Sequence, residues 1–360
     1  MPNPKFPDSL VTRSDQQEGH SSFSIPSRRQ FITGLAALGA AALVPKAGSL
    51  LEAAGAAAGP QAGAAKKRPR RIDVHHHPAL PNTGPQVRTT QTGPAPTVWT
   101  PETALKMMDE GGCDLTILSS GGNDGPRCRE YNEYMAKLVS DYPGRFGMFT
   151  SLPFPDVDGS LKELAYGFDV LKADGVRFST SYGDKWLGDP VFAPIFEELN
   201  RRKAVAYTHP SAPTCCAKLV PGIGDATIEF GTDTTRAIVR MIFSGSSARY
   251  PDMKMIFSHA GGTMPYLIVR LIKDSGAVPK GFPYEAGRFY YDTAQVAGPG
   301  AMFALRNVVP MSQIIFGTDY PYISVKQTAE NLKESKVFTA QELADIDAGN
   351  ALKLFPKYAV

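Results

Sequence analysis

The chain has 360 residues, with 42% hydrophobic, 10% aromatic and 20% charged side chains and a formal net charge of +3. This apolar content can form a core, which excludes a chain disordered throughout, and four cysteines are too few for a disulfide-built scaffold. No apolar run reaches the roughly 18 residues of a membrane span, so we expect no stable span.

The positive charge is concentrated at the start of the chain. Residues 1–71 contain ten basic and four acidic residues, a net charge of +6. The remainder has 28 basic and 31 acidic residues, a net charge of −3. A body without excess positive charge has no electrostatic attraction for a phosphate backbone, so we expect no nucleic-acid partner.

Residues 1–70 have the pattern of an export leader. Arg28 and Arg29 are followed by Phe31 and by a short apolar run, rich in alanine and glycine, from Thr33 to Val44. This pattern resembles a twin-arginine signal, whose apolar run is too short to cross a bilayer. The alternative is a disordered alanine-rich tail. The sequence thus predicts export to the periplasm or the extracellular space, and one catalytic domain at residues 71–360.

From residue 71 onward, short β-branched or aromatic runs alternate with segments of helical period. Strands are predicted at residues 71–77, 114–120, 145–152, 175–180, 204–209, 253–259, 289–293 and 313–318. Helices are predicted at residues 101–110, 129–141, 160–173, 190–202, 234–249 and 328–335. For the first helix, Thr100 is the predicted N-cap and Pro101 the first helical residue.

Eight β/α units predict a (β/α)8 TIM barrel. A doubly wound open sheet is the alternative, but no glycine-rich phosphate turn follows the first strand. The loop from Pro78 to Thr100 is rich in proline, glycine and threonine. A loop of this length in a compact domain is usually functional, so we expect it to contribute to the site.

Five of the six histidines lie at the carboxyl ends of predicted strands. They are His75, His76 and His77 on the first strand, His209 on the fifth and His259 on the sixth. In a TIM barrel these ends form one edge, where catalytic groups converge. Because scattered core histidines would not be confined to one edge, the sequence predicts an active site there.

Alternation along a strand places His75 and His77 on one face and His76 on the other. A His-x-His pair facing the barrel mouth can provide two nitrogen ligands to one divalent metal ion. His209 is the candidate third ligand, and Asp319, after the eighth strand, is the candidate fourth. Taken singly, His209 could be a satisfied core histidine and Asp319 a turn or capping residue. Their joint placement favours a metal site.

His259 is the remaining histidine at this edge, in the segment Ser-His-Ala-Gly-Gly. An imidazole beside a metal is well suited to moving a proton to or from water or substrate. The sequence therefore predicts that His259 is the catalytic acid or base. The alternatives are a fourth nitrogen ligand and a purely structural histidine.

Four motifs, in this order, resemble those of the amidohydrolase-2 branch of the amidohydrolase superfamily. They are Ile-Asp-Val-His-His-His (72–77), Thr-His-Pro (208–210), Ser-His-Ala-Gly-Gly (258–262) and Gly-Thr-Asp-Tyr-Pro (317–321). Within that branch, the chain is most similar to decarboxylases related to aminocarboxymuconate-semialdehyde decarboxylase, especially the 6-methylsalicylate decarboxylase-like group. The resemblance covers essentially everything after residue 71.

The resemblance implies a distorted TIM barrel that holds one catalytic divalent ion, with zinc expected and manganese compatible. Carried over by motif, the ligands are His75, His77, His209 and Asp319. Relatives with two metal ions carry a lysine at the end of strand four, which here reads Gly-Val-Arg-Phe-Ser-Thr. One metal ion is therefore expected.

The resemblance further implies a homodimer. Arg270 matches an arginine that, in the decarboxylases, reaches the substrate of the neighbouring subunit, which implies a substrate-binding role. The alternative is a surface or helix-packing arginine.

The implied activity is that of a carboxy-lyase, which releases carbon dioxide non-oxidatively from an aromatic or dienoic carboxylic acid. His259 or Asp319 would transfer the proton to the carbon that bears the carboxylate. The alternative is a hydrolase that uses the same site on a lactone, ester or amide. An inactive binding protein is disfavoured because all five candidate site residues are present.

Overall fold

The computed structural model describes residues 70–80, 99–119 and 127–359. The chain divides into two units, residues 1–62 and 63–360, and every described residue lies in the second. The predicted leader, and residues 81–98 of the predicted functional loop, lie outside the described residues.

Eight parallel strands form one sheet in chain order, as the sequence predicts. They are β1 (Ile72–His76), β2 (Leu115–Leu118), β3 (Phe146–Ser151), β4 (Gly175–Ser179), β5 (Val205–His209), β6 (Lys254–Phe257), β7 (Tyr290–Asp292) and β8 (Ile314–Ile315). The amides of Val74 and His77 donate to the carbonyls of Phe316 and Tyr320, just beyond β8. These bonds bring the first and last strands together, so the sheet nearly closes into the predicted TIM barrel.

Twelve α-helices lie between and after these strands in the described residues. They are α1 (Pro101–Glu110), α2 (Cys128–Asp141), α3 (Val157–Asp169), α4 (Ala193–Arg202), α5 (Asp225–Phe243), α6 (Ser246–Arg249), α7 (Met264–Lys273), α8 (Phe282–Ala286), α9 (Pro299–Arg306), α10 (Val325–Glu334), α11 (Ala340–Ala344) and α12 (Ala351–Leu354). A short antiparallel hairpin, Ser181–Tyr182 with Lys185–Trp186, follows β4. Within the described part of the chain, no helix is both long and apolar enough to cross a membrane.

The ends of two helices can be compared with the local signals in the sequence. Thr100 is the N-cap of α1, as predicted, and it forms a reciprocal capping box with Thr103. The single helix predicted at residues 234–249 is wrong in its bounds. The segment is two helices, because α5 starts at Asp225 and the chain turns at Gly245, whose φ is +75°.

The carboxy-terminal segment seals one end of the barrel. Leu352 and Phe355 pack among interior strand residues, and the Phe355 ring lies 6.0 Å from that of Phe149. Asp347 pairs with Arg71, just before β1, which places this segment at the amino-terminal ends of the strands. A sealed apolar end leaves the opposite, carboxyl end of the strands for polar chemistry.

Candidate metal centre

The structure brings together the four predicted ligands at the carboxyl ends of the strands. His75, His77, His209 and Asp319 each offer one ligand atom, and these four atoms lie within 4.8 Å of one another. All four residues are buried. Three imidazoles and one carboxylate form a donor set that could hold one metal ion.

A bulge in β1 aims two of these histidines. Asp73 is paired with Thr116 and His76 with Leu118, so β1 holds one more residue than β2 over this stretch. Asp73 stabilises the bulge, because its Oδ1 accepts hydrogen bonds from the amides of His75 and Thr318, each at 3.0 Å. A bulge shifts the alternation of a strand and can re-aim a side chain at an active site.

The atoms of the group are close enough to share a cation. The Nε2 atoms of His75 and His77 are 3.1 Å apart. Asp319 Oδ1 lies 3.2 Å from the first and 2.9 Å from the second. The His209 ring is 4.7 Å from the His77 ring, centre to centre, and its buried Nε2 has no hydrogen-bond partner in the described structure. A buried polar atom without a partner is costly, which points to a missing ligand.

Each of the three histidines is oriented through its other ring nitrogen. Nδ1 of His75 contacts Asp292 Oδ2 at 2.8 Å. Nδ1 of His77 and of His209 contact the carbonyls of Ser119 and Pro210 at 3.1 and 2.9 Å. A carbonyl can only accept, so Nδ1 carries the proton there, and the neutral ring then has its lone pair on Nε2. This is the arrangement in which proteins present histidine to metals.

Asp292, which was not predicted as a site residue, lies directly behind the group. Besides His75, it contacts the backbone, because its Oδ1 accepts from the amides of His259 and Ala294 at 2.8 and 3.1 Å. Its position at the carboxyl end of β7 could have marked it in the sequence, because the same position identified the histidines as candidate site residues.

His76 faces away from the group, as alternation predicts. Its Nε2 accepts a hydrogen bond from Trp99 at 2.8 Å, and its ring lies 4.8 Å from that of Tyr320. The residue is fully buried, and burial holds the pKa of His76 well below its usual range. His76 is therefore a packing residue.

His259 lies beside the group, in a tight turn. Its Nε2 is 3.4 Å from Asp319 Oδ2, and its buried Nδ1 has no hydrogen-bond partner among the described residues. Its φ is +54°, and the turn continues to Gly262. At Gly262 a side chain would not fit, because a Cβ would lie 1.9 Å from the carbonyl oxygen of Gly231 in α5.

Gln295 is a second contact of Asp319 that was not predicted. Its Nε2 donates to Asp319 Oδ2, the oxygen that faces His259. No motif marks this residue in the sequence. Its role follows from a left-handed backbone conformation, with a φ of +57°, which sequence reasoning could not anticipate.

Burial and neighbouring charges shift the pKa values of the four residues in different directions. Burial lowers the pKa of His77 and His209. Burial also acts to lower the pKa of His75, but Asp292 and Asp319 outweigh it and raise that pKa to about 10. For Asp319, burial favours the neutral acid, but the neighbouring histidines outweigh it and hold its pKa well below the usual range. A metal ion would therefore compete with a proton for His75.

Arg270 is not brought to this group within the single chain. It lies in the last turn of α7, exposed to solvent. Within the described residues its side chain makes no hydrogen bond or ion pair. Tyr266 and Val269, on the same helix, are 86% and 75% exposed.

Comparisons with known proteins agree with the motifs. The model of the amidohydrolase family, Amidohydro_2, matches residues 72–357. Decarboxylase yanB of Aspergillus niger is 36% identical over 324 residues, which cover 80% of this chain and 88% of yanB. The 6-methylsalicylic acid decarboxylase of Penicillium expansum is 31% identical over 80% of this chain and 96% of its own length.

A solved structure shows the same fold. A dihydroxybenzoic acid decarboxylase from Polaromonas, with bound manganese and the inhibitor 2-nitroresorcinol, superposes with a TM-score of 0.67. It is 20% identical in sequence, and the match covers 79% of this chain and 96% of that chain.

Proposed function

The chain belongs to the amidohydrolase family, and on that premise we propose that it is a metal-dependent, non-oxidative decarboxylase of an aromatic carboxylic acid. The observation that carries this proposal is the buried convergence of His75, His77, His209 and Asp319. The two relatives described above are named decarboxylases and cover four fifths of the chain. This favours a carboxy-lyase over the hydrolase alternative.

We propose that the Nε2 atoms of the three histidines and Oδ1 of Asp319 are the ligands of one divalent ion. Three imidazoles suit zinc, whereas the manganese in the Polaromonas decarboxylase supports manganese. We propose zinc as the first candidate because three imidazole nitrogens and one carboxylate oxygen form the set of ligand atoms. When bound, the ion would supply a Lewis acid that holds and polarises substrate oxygens.

His259 is the proposed acid in this reaction. Decarboxylation breaks the bond between the ring carbon and the carboxylate and forms a carbon–hydrogen bond there, so a proton must reach that carbon. The His259 imidazole lies next to the group without being one of its four members. Asp319, whose Oδ2 faces His259, is the second candidate for this transfer.

The side of the site near His209 suits an aromatic substrate. The half-buried ring of Phe230, on α5, lies 5.9 Å from the His209 ring at an interplanar angle of 80°. Such an edge-to-face pair is favourable and leaves apolar surface beside the ligands.

The test is carbon dioxide release by metal-loaded protein from ortho-hydroxybenzoates and related unsaturated acids, with chelator-treated protein as the control. We expect metal-dependent release from at least one acid. If no acid releases carbon dioxide while one metal ion is bound per chain, the decarboxylase proposal fails. Lactones and esters would then be tested as hydrolase substrates.

We also propose a homodimer in which Arg270 contacts the substrate of the partner subunit. The support is the apolar face of α7, formed by Tyr266 and Val269, together with Phe303 of the neighbouring helix α9, which is 64% exposed. Monomeric soluble proteins rarely leave a large contiguous apolar patch in water. A second copy would cover this face and bring its own Arg270 to the interface.

Finally, we propose that residues 1–70 direct export. The pair Arg28 and Arg29 precedes the apolar run, and the family match starts only at residue 72. Replacing both arginines by lysine should abolish export of a fused reporter while leaving its synthesis unchanged. Export at the normal rate would refute this proposal.

A further inference from the structure

Gln295 combines three features that single it out among the residues around the metal centre. Its φ is +57°, a left-handed conformation that is uncommon for glutamine and unstrained for glycine. Its side chain is exposed at the rim of the group. Its amide nitrogen nevertheless reaches inward to Oδ2 of Asp319. A strained residue that contacts a candidate ligand suggests a functional constraint.

Two hydrogen bonds hold the residues just before Gln295 in place. Asp292 Oδ1 accepts from the amide of Ala294 at 3.1 Å. The hydroxyl of Thr293 donates to the carbonyl of Gly317 at 3.0 Å, which ties this segment to the chain leading to Asp319. The left-handed turn at Gln295 therefore directly follows residues that join the end of β7 to the chain after β8 by hydrogen bonds.

The two oxygens of Asp319 have separate partners. Oδ1 faces the Nε2 atoms of His75 and His77. Oδ2 faces His259 Nε2 and Gln295 Nε2. The distance to His259 is 3.4 Å, which is long for a strong hydrogen bond, so the Gln295 amide is the principal donor to Oδ2. A donor on Oδ2 restricts rotation of the carboxylate and keeps Oδ1 turned toward the histidines.

We propose that Gln295 is a positioning residue for the metal centre, which acts by holding the carboxylate of Asp319 in its ligating orientation. This role rests on the proposed metal site. In this role Gln295 acts through Asp319 and does not itself contact the substrate. Removal of such an outer contact typically lowers metal affinity or activity about 10- to 100-fold.

The experiment compares metal affinity in two variants. Gln295→Leu removes the amide but keeps the bulk and the backbone strain, whereas Gln295→Gly removes both the amide and the strain. We expect both variants to bind zinc and manganese about 10- to 100-fold more weakly in competition with a chelator. Metal-free Gln295→Gly should unfold at a temperature no lower than wild type, because glycine is unstrained at this φ.

Gln341→Leu is the matched control, since Gln341 is exposed on α11 and its amide donates to Asp345. Asp345 lies two residues before Asp347, which pairs with Arg71 at the opposite end of the barrel. Wild-type metal affinity in Gln295→Gly would overturn the proposal. Loss of affinity together with a lower unfolding temperature of that metal-free variant would show a purely structural role and also overturn it.

A failure of the proposal for Gln295 can be distinguished from a failure of the proposed decarboxylase reaction. If wild-type protein binds no metal, the metal site fails and this proposal fails with it. If wild-type protein binds metal but releases no carbon dioxide, only the proposed reaction fails. The affinities of the variants then still decide the role of Gln295.

Discussion

At the scale of single residues, the chemistry of this site depends on which nitrogen of each histidine carries its proton. The carbonyls of Ser119 and Pro210 and the carboxylate of Asp292 hold the three Nδ1 atoms. That leaves the Nε2 atoms to face Asp319. The buried Nδ1 of His259 lacks such a partner in the described structure, which distinguishes His259 from the three ligand histidines.

The first prediction concerns His259. His259→Asn should lower kcat by about 10²- to 10⁴-fold, the usual contribution of a positioned acid or base, while one metal ion per chain remains bound. Asparagine is a suitable replacement because it tolerates the left-handed backbone at this position. The measurements are steady-state kinetics and metal content. Gln341→Leu, at an exposed residue of α11, is the control, which should retain turnover. Full activity of His259→Asn would exclude its role as the acid.

The second prediction concerns Asp292. In Asp292→Asn the amide NH2 would face the Nδ1 proton of His75, so the ring would have to move that proton to Nε2 and lose its ligating lone pair. We expect metal affinity to fall about 10- to 100-fold, measured by competition with a chelator. Asp233→Asn is the control, because Asp233 is also fully buried but accepts hydrogen bonds from Ser181 and Trp186 instead. Equal effects of both substitutions would contradict the prediction.

At the scale of elements, the strands could be predicted well but the bulge in β1 could not. Strict alternation correctly places His75 and His77 on one face. It would also place Val74 on the opposite face, yet Val74 packs in the barrel interior. The bulge that reconciles these positions depends on hydrogen bonds that Asp73 accepts from Thr318, 245 positions away. Contacts this distant leave no local pattern in the sequence.

The same limit explains the missed site residues. Asp292 shares the strand-end position of the histidines, but its contact with His75 on β1 forms only in the folded chain and leaves no further sign in the sequence. Gln295 has no strand-end position, and its contact with Asp319 depends on the backbone turn after β7. The five histidine and aspartate candidates were found because their position at strand ends is itself a local signal.

The third prediction tests the turn that carries His259. In Gly262→Ala, the new Cβ would lie 1.9 Å from the Gly231 carbonyl, so the turn and α5 must separate. We expect a loss of more than about 3 kcal/mol in the free energy of unfolding, measured with denaturant. Gly245→Ala is the control, because its φ is also positive but no atom lies within 4 Å of where its Cβ would be. It should lose only about 1–2 kcal/mol, and equal losses would refute the steric argument.

The fourth prediction concerns the contact between α3 and α4. The Glu198 carboxylate binds Arg201 and Arg202, and Arg202 continues to Asp169 on α3. The hydrogen bond from Arg201, reinforced by Arg202, lowers the pKa of Glu198 from 4.5 to about 2. Because the folded state lowers this pKa, the stabilisation is fully present above pH 4.5 and is lost as the pH falls through about 2.

Glu198→Gln should therefore lower the free energy of unfolding at pH 7 by up to about 1 kcal/mol, since such pairs are partly solvated. The difference from wild type should shrink as the pH falls from 4.5 toward 2, measured by urea denaturation. Glu334→Gln, which alters an exposed carboxylate with no ion pair in the described chain, is the control. A difference that does not change with pH would contradict the assigned cause.

At the scale of the whole molecule, the two ends of the barrel have opposite properties. The amino-terminal end is sealed by Leu352 and Phe355 and is apolar. The carboxyl end gathers the buried histidines and carboxylates. The fold therefore restricts chemistry to one opening, and the exposed apolar face of α7 starts only a few residues after His259 at that opening. An association through α7 would thus place one subunit close to the opening of the other.

The fifth prediction is that the protein is a dimer whose two sites are each completed by Arg270 of the partner subunit. Tyr266→Asp should give monomers in sedimentation experiments, whereas Val170→Asp, at an exposed apolar residue outside α7, should not.

Arg270→Ala and His259→Asn should each be inactive alone. After the two are mixed and re-equilibrated, activity should return to about a quarter of the wild-type rate, because half of the dimers are mixed and each mixed dimer has one complete site. No recovery in mixed dimers would mean that Arg270 acts within its own subunit or not at all.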